Sequence, residues 1–512
     1  MSFHSVLHTH DLTPPADSAP ETPPAYFADL CLDQVVDALV AGRREYRLRP
    51  LFHAPLPDTA SIEYRHDVFR DLEHEPLRAS VSAFAQRMRT AREHLAYSAT
   101  LDCAEHRRGW FLCAAESYCE AVTLLADDLG RAEARSAGLS GFRAYLVSYA
   151  AGDPFTAFAA ETRRLRDELR EVHYCLLIQD NRIHVRRYDG ESDYSAQVGA
   201  TFAKFAQGAA KDPEVSHTAT AGMNHVLAGV LGLVARLHPH LFAALEEYCR
   251  ANDAFVDPAV ARFDREVQFY LAYLECIAPL RQTGLPFCYP RVSAAAGEIR
   301  SRGGFDLALA LRLRAEGAAV AANDFHLEGD ERVLVVTGPN QSGKTTFARA
   351  FGQLHHLAAL GCPVPGTEAC LLLFDSLFTH FEREERLADL RGKLQDDLLR
   401  LRGILSGATP RSIIILNEIF TSTTLRDALS LSDRVMRTII TLRPLCVWVT
   451  FIDQLADTGP QVVSMAADVS REAPVVRTFR FVRRPADGLA YAMAIAEKYR
   501  LTCDLLKERI RP

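Results

Sequence analysis

The run "GPNQSGKT" at residues 338–345 constrains the fold more than any other feature of the chain. It has the pattern G-x-x-x-x-G-K-[ST], follows the apolar run "RVLVV" and precedes the helix-patterned "TFARAFGQLHHLAAL". That order predicts strand, loop and helix, in which backbone amides and a helix N-terminus close around phosphate oxygens. The candidate nucleotide-binding residues are Gly338, Pro339, Asn340, Gln341, Ser342, Gly343, Lys344, Thr345 and Thr346. Lys344 is expected to place a compact charge on the β- and γ-phosphates of ATP, and Thr345 to offer a hydroxyl to Mg²⁺. Basic residues are almost all Arg elsewhere: the only Lys are Lys204, Lys211, Lys344, Lys393, Lys498 and Lys507. A forked guanidinium would not replace Lys344 in so tight a loop.

From Glu331 onward the apolar runs "RVLVVTG", "CLLLFDSLF", "SIIILNEIF" and "LCVWVTFI" alternate with helical patterns. Continuous apolar strands bounded by helices predict a parallel sheet covered on both faces. The third run ends at Asn417 and Glu418. With Lys344, Glu418 is a candidate catalytic residue, a base that orients attacking water. Asn417 joins Thr345 as a candidate metal residue. In many ATPases of this pattern the position holds Asp. The amide keeps an oxygen to accept a hydrogen bond from a magnesium-bound water but loses the charge, which predicts a weaker grip on Mg²⁺ and slow turnover.

Residues 26–300 have a helical style. In "FADLCLDQVVDALVAG", Leu32, Val35, Val36 and Leu39 recur at helical spacing before Gly42. "ETRRLRDELRE" (161–171) reads as a solvated, ion-paired face, with a DNA-contacting face as the alternative. "HYCLLIQDNRIHVRRYDG" (173–190) breaks the period and predicts a hairpin whose Arg182, Arg186 and Arg187 suit phosphates. "HVLAGVLGLVARL" (225–237) is too short to span a bilayer and reads as a buried helix. Residues 1–25, with "LTPPADSAPETPPA", read as a disordered Pro-rich tail in which His4, His8 and His10 are solvated. They lack the apolar core of a signal peptide.

Net charge is −7, so no global basic field draws the chain to nucleic acid or anionic membrane. Twelve Cys without a C-x-x-C pair fit free thiols in a reducing cytoplasm. No H-E-x-x-H, G-x-S-x-G or zinc-spaced Cys/His cluster is present. A transporter-type ATPase would need an LSGGQ-type signature, and "ILSGATPRS" (404–412) matches it poorly. The fold class expected is mixed: an all-α region over 26–300, then an α/β P-loop NTPase domain over 301–512.

The residues from about Asn323 onward resemble the MutS DNA mismatch-repair ATPase family. "TGPNQSGKTT" is similar to that family's P-loop, in which "GPN" is more specific than the bare pattern. "NDFHL", "VPGTEACLLLFDSLFTHF", "LNEIFTSTTLRDALSLS", "TFIDQLAD" and "DGLAYAMAIAEKYRL" resemble its successive ATPase segments. The resemblance implies an ABC-like ATPase domain using ATP and Mg²⁺. It also implies a helical lever, with 173–190 in a clamp, and a homodimer formed through the ATPase domains. Segment 421–427, with 382–397 nearby, would face the partner's nucleotide, and DNA would be a partner. A shortened, MutS-like chain is expected, with lever and ATPase but no mismatch-reading or connector domain.

Departures from the family pattern touch chemistry: Asn417 for Asp, Phe451 for the switch His, Gly392 for the Ser that senses the γ-phosphate, and Val320 for the adenine-stacking aromatic. Two readings stay open. One is a slow, DNA-associated ATPase; the other is a nucleotide-gated scaffold with negligible hydrolysis that binds protein partners.

Overall fold

The computed structural model describes residues 3–9, 22–180, 182–190, 225–295, 297–382, 392–469 and 477–485. The chain divides into two compact units. The first is Met1–Phe3, Glu75–Ala134 and Ser140–Asp264; the second is His4–His74, Arg135–Leu139 and Arg265–Pro512. The change of sequence style near residue 300 is therefore not where compactness changes. The strands after 300 share a unit with residues 4–74 and with the C-terminal part of the Pro258–Gln282 helix.

In the first unit two long helices, Glu75–Ala99 and Ala104–Arg131, pack along each other. Val81, Phe84 and Met88 of one are buried, as are Ala121, Val122 and Leu125 of the other. Leu112, Ala115, Leu165, Leu245 and Tyr248 form a second core where helices Asp153–Arg170 and Pro239–Ala251 meet Ala104–Arg131. On the Asp153–Arg170 helix, Arg164 pairs with Glu161 and Glu168, while Arg166 and Arg170 pair with Glu116. These pairs fit the ion-paired reading of 161–171.

Strands β1 (Tyr174–Gln179) and β2 (Arg182–Arg187) form the expected hairpin, in antiparallel register from Tyr174↔Arg187 to Gln179↔Arg182. Arg182, Arg186 and Arg187 are all exposed on it. The apolar run 225–237 is a helix as expected, but only Val230 and Val234 are buried, and Leu227 is 53% exposed. No single helix among the described residues is long and apolar enough to cross a membrane.

In the second unit, residues 4–9 overturn the expectation of a disordered tail where they are described. Glu266 accepts bonds from the Ser5 hydroxyl and the Val6 amide, both at 2.8 Å. Tyr270 donates to the Val6 carbonyl at 2.6 Å, and Arg65 Nε to the Leu7 carbonyl at 3.1 Å. Val6 and Leu7 are buried, and so is His8, which was expected in solvent. The Pro-rich pattern signals a chain that cannot build its own core; it does not register a core supplied by helices far away in sequence. Residues 10–21, with His10, lie outside the described residues.

Among the described residues the unit carries a six-stranded sheet and a four-stranded one. The small sheet contains β4 (Arg291–Ser293), β5 (Ile299–Gly304), β6 (Asn323–Leu327) and β9 (Glu368–Leu372); β3 (Phe287–Cys288) pairs separately with β8 (Val364–Pro365). The large sheet contains β7 (Val333–Thr337), β10 (Leu377–Phe381), β11 (Ile413–Asn417), β12 (Leu445–Val449), β13 (Val462–Val469) and β14 (Arg477–Arg483). Its order is β10-β11-β12-β7-β13-β14, with every neighbour pair parallel except β13/β14.

β7, β11 and β12 are buried throughout, as continuous Val/Ile/Leu runs require when both faces are covered. Trp448 of β12 sits opposite Val335 of β7 and is 1% exposed within the core that also holds Met436 and Ile439 of the Leu425–Leu442 helix. One sequence expectation changes. "CLLLFDSLF" is two strands, not one, because the chain leaves the small sheet after Leu372 and joins the large sheet at Leu377. After β7 the sheet order jumps to its far edge and returns, so β7 has β12 on one side and β13 on the other. Such a reversal leaves a crevice at the C-terminal ends of the strands.

Candidate functional site

The loop from β7 to the Lys344–Ala359 helix opens at that crevice. Gly338 has φ 146°, and a Cβ there would lie 2.5 Å from the Ala467 methyl on β13, so only glycine lets the loop pass its neighbour strand. Gly343 caps the helix in the left-handed region at φ 93°. Ser342 is 4% exposed, and its hydroxyl has no hydrogen-bond partner among the described residues.

Lys344 is the first helical residue, and its side chain is 5% exposed. Its ammonium donates to the carbonyls of Gly338 at 3.1 Å and Pro339 at 3.3 Å. It also lies 3.4 Å from Oε1 of Glu418. Thr345 donates its hydroxyl to the Asn417 amide oxygen at 3.0 Å. The two stretches separated by many residues thus meet pairwise, Lys344 with Glu418 and Thr345 with Asn417. Asn417 ends β11 and is buried. Glu418 follows it in the left-handed region at φ 52°, its amide held by the Val449 carbonyl at 2.9 Å and its side chain 31% exposed.

These residues edge a cleft of about 630 Å³. Asn340, Gln341, Gly343, Lys344, Thr345, Thr346 and Glu418 are in its lining, with the charged Asp306, Arg312 and Arg349. Leu309, Leu313, Ala319, Ala321 and Phe479 add apolar surface. Polar and apolar lining together suit a ligand with a charged part and a flat, apolar part. Gly338, Pro339, Ser342 and Asn417 are not in the lining. The first two act on Lys344 through their carbonyls, and Asn417 acts on Thr345.

Sequence reasoning missed Phe479. Val320, the position expected to hold a stacking aromatic, is outside the lining, while its neighbours Ala319 and Ala321 are in it. Phe479 is 48% exposed at φ 57°. β14 bulges there: its pairing with β13 runs Ala467↔Phe481 and then Val469↔Arg477, so three residues of β14 face Asp468 alone. Bulges re-aim side chains. Here the Phe481 ring stays buried and the Phe479 ring turns out to a point 3.4 Å from where a Gly343 Cβ would be. The Asn323 side chain clamps the bulge, its Nδ2 donating to the Phe479 carbonyl at 3.0 Å and its Oδ1 accepting from the Phe481 amide at 2.7 Å. Alternation in "RTFRFVR" marks a strand, but it shows neither the bulge nor that Phe479 is exposed while Phe481 is buried.

Gln341 (φ 63°), Glu418 and Phe479, all lining the cleft, are non-glycine residues in the left-handed region. Such conformations cost roughly 1–3 kcal/mol each and gather at functional sites. Among the described residues no group of three or more His, Cys, Asp or Glu is placed to hold a metal ion. The oxygens of Thr345 and Asn417 are hard donors, a set suited to Mg²⁺ when phosphates and waters complete the shell.

Phe451, at the expected switch position, is 50% exposed, and Gly392 is the N-cap of the Lys393–Gly407 helix. Thr421, Ser422, Thr424 and Leu425 are exposed, Leu425 by 61%. Residues 383–391 of the charged segment 382–397, and the run "DGLAYAMAIAEKYRL", lie outside the described residues.

Residues 334–508 match the family model for MutS domain V. The chain is 28% identical over 228 residues to the DNA mismatch repair protein MutS of Thermotoga neapolitana, covering 44% of this chain and 28% of that protein. It is 29% identical over 232 residues to MutS of Chlorobaculum tepidum, covering 44% and 26%. Against MutS of Shouchella clausii it is 36% identical over 114 residues, covering 22% and 13%. The match thus spans between 13% and 28% of these relatives' length. The chain is MutS-like, and its likeness is carried by the match to the MutS domain V family model across residues 334–508.

Proposed function

We propose that the chain binds ATP with Mg²⁺ in this cleft and hydrolyses it slowly. The observation that carries the reading is the pairing of Lys344 with Glu418 and of Thr345 with Asn417 at the mouth of the cleft. The loop amides and Lys344 take the phosphates, and the unpartnered Ser342 hydroxyl fits an anion-binding loop. Thr345 would hold Mg²⁺ directly and Asn417 through a water; the ion would neutralise developing phosphate charge. Glu418 orients the attacking water. Phe479 offers its ring to the base. The neutral amide at 417 limits the grip on the metal and hence the rate.

In the same proposal ATP closes a homodimer through the ATPase region, with segment 421–427 facing the partner copy's nucleotide, and DNA is the substrate on which closure acts. The names of the relatives support the DNA part, and so do the exposed Arg182, Arg186 and Arg187 of the hairpin. The competing reading, a nucleotide-gated scaffold for protein partners, draws on the neutral Asn417. Two measurements test the proposal. ATP·Mg²⁺ binding by calorimetry should be lost in Lys344→Ala. Anisotropy with homoduplex, mismatched and branched DNA at low salt should show nucleotide-dependent binding; its absence removes the DNA part and favours the scaffold.

A further inference from the structure

Lys344 donates to two carbonyls of the protein, those of Gly338 and Pro339, and the Glu418 carboxylate lies 3.4 Å from its ammonium as an ion pair. A cation whose side chain is only 5% exposed needs a counter-charge, and Glu418 provides it. The Lys344 ammonium is thus satisfied from within. A phosphate that takes the ammonium must displace Glu418, because two anions competing for one cation repel each other.

We infer that Glu418 is an internal competitor of the nucleotide, a latch on Lys344 that each binding event must open. This inference rests on the phosphate-binding reading of the loop. The geometry supports a side-chain latch rather than a moving loop. The Glu418 amide is held by the Val449 carbonyl at 2.9 Å, and the next two residues, Ile419 and Phe420, are buried in the sheet's core. Backbone motion is costly there. The side chain, 31% exposed, is free to swing on the solvent side. Opening the latch also delivers Glu418 to the solvent side of the phosphates, where its proposed work lies. One residue therefore holds the site closed before binding and becomes available to water after it.

The test is the affinity for ADP without magnesium, so that neither hydrolysis nor metal enters. It compares wild type, Glu418→Gln and Glu418→Asp. Gln keeps the length and removes the charge. Asp keeps the charge but is one methylene too short for the 3.4 Å contact, and it tolerates a left-handed backbone. The latch requires both variants to bind ADP more tightly than wild type, by about three- to tenfold. If only Gln gains, charge repulsion by itself explains the effect and the latch is overturned. If neither gains while wild type binds, Glu418 does not compete. If no form binds ADP, the phosphate-binding reading fails and takes the latch with it.

Discussion

Thr345 and Asn417 share a hydrogen bond of 3.0 Å between hydroxyl and amide oxygen, joining the first residues of the helix after β7 to the last residue of β11. In the proposed site this pair would hold Mg²⁺ with one charge fewer than a carboxylate at 417 would supply. A carboxylate at 417 would make the bond charge-assisted, roughly twice as strong, and would attract the metal's waters. Asn417→Asp should therefore raise Mg²⁺-dependent ATP turnover by about tenfold and lower the Mg²⁺ concentration needed for half-maximal rate. Phosphate release across a magnesium titration checks this. An unchanged or slower rate would mean that the amide is not what limits the site.

Phe479 is fixed by a bulge and by the Asn323 clamp rather than by burial of its ring. If it stacks on the base, Phe479→Ala should weaken ADP binding by about tenfold, in line with stacking worth about 1–3 kcal/mol per base. Phe479→Tyr should bind like wild type. Inorganic pyrophosphate, which has no base, should bind both variants alike. Calorimetry with the two ligands separates stacking from damage to the loop.

The segment 4–9 is anchored by Glu266, whose carboxylate receives the Ser5 hydroxyl and the Val6 amide. Glu266→Ala leaves the Val6 amide without this acceptor in a buried setting, at a cost of about 1–3 kcal/mol. The denaturant midpoint should fall and protease cleavage near the N-terminus should rise. Wild-type stability in the variant would mean that the segment contributes nothing to the fold.

His355 and His356 lie in the buried part of the Lys344–Ala359 helix, and burial pushes both down to about 4. Bonds to the Phe351 and Phe52 carbonyls pull the other way and do not offset it. In the unfolded chain these groups take protons below about pH 6.5. Between about 6.5 and 4 the unfolded state therefore holds more protons than the folded one, and stability is lost as pH falls through that window. The loss reaches roughly 3 kcal/mol per His at the lower end of the window. Urea midpoints at pH 7.5, 5.5 and 4.5 should decline, and His355→Phe should decline less steeply.

Much of this site is legible in the sequence because its parts are local. "GPNQSGKT" after an apolar run dictates a strand, a tight loop and a helix, and "IIILNE" ends a buried strand in Asn417 and Glu418. Their meeting follows from parallel strands sharing one end of a sheet. What the sequence hides is non-local. Residues 4–9 pack on groups some 260 positions away, and no periodicity records that. In "CLLLFDSLF" only Asp375 and Ser376 interrupt the apolar run, and hydrophobicity does not reveal that Leu372 and Leu377 belong to different sheets. Phe479 owes its direction to a backbone irregularity that side-chain alternation cannot express.

The most direct test of the central claim, a working though weakened ATP site, is phosphate release from ATP in Mg²⁺ by wild type and Glu418→Gln, with ADP binding measured on the same samples. Slow, magnesium-dependent release in wild type is expected, with loss of release and retained binding in the variant. Equal release in both proteins, or no nucleotide bound by either, would contradict it.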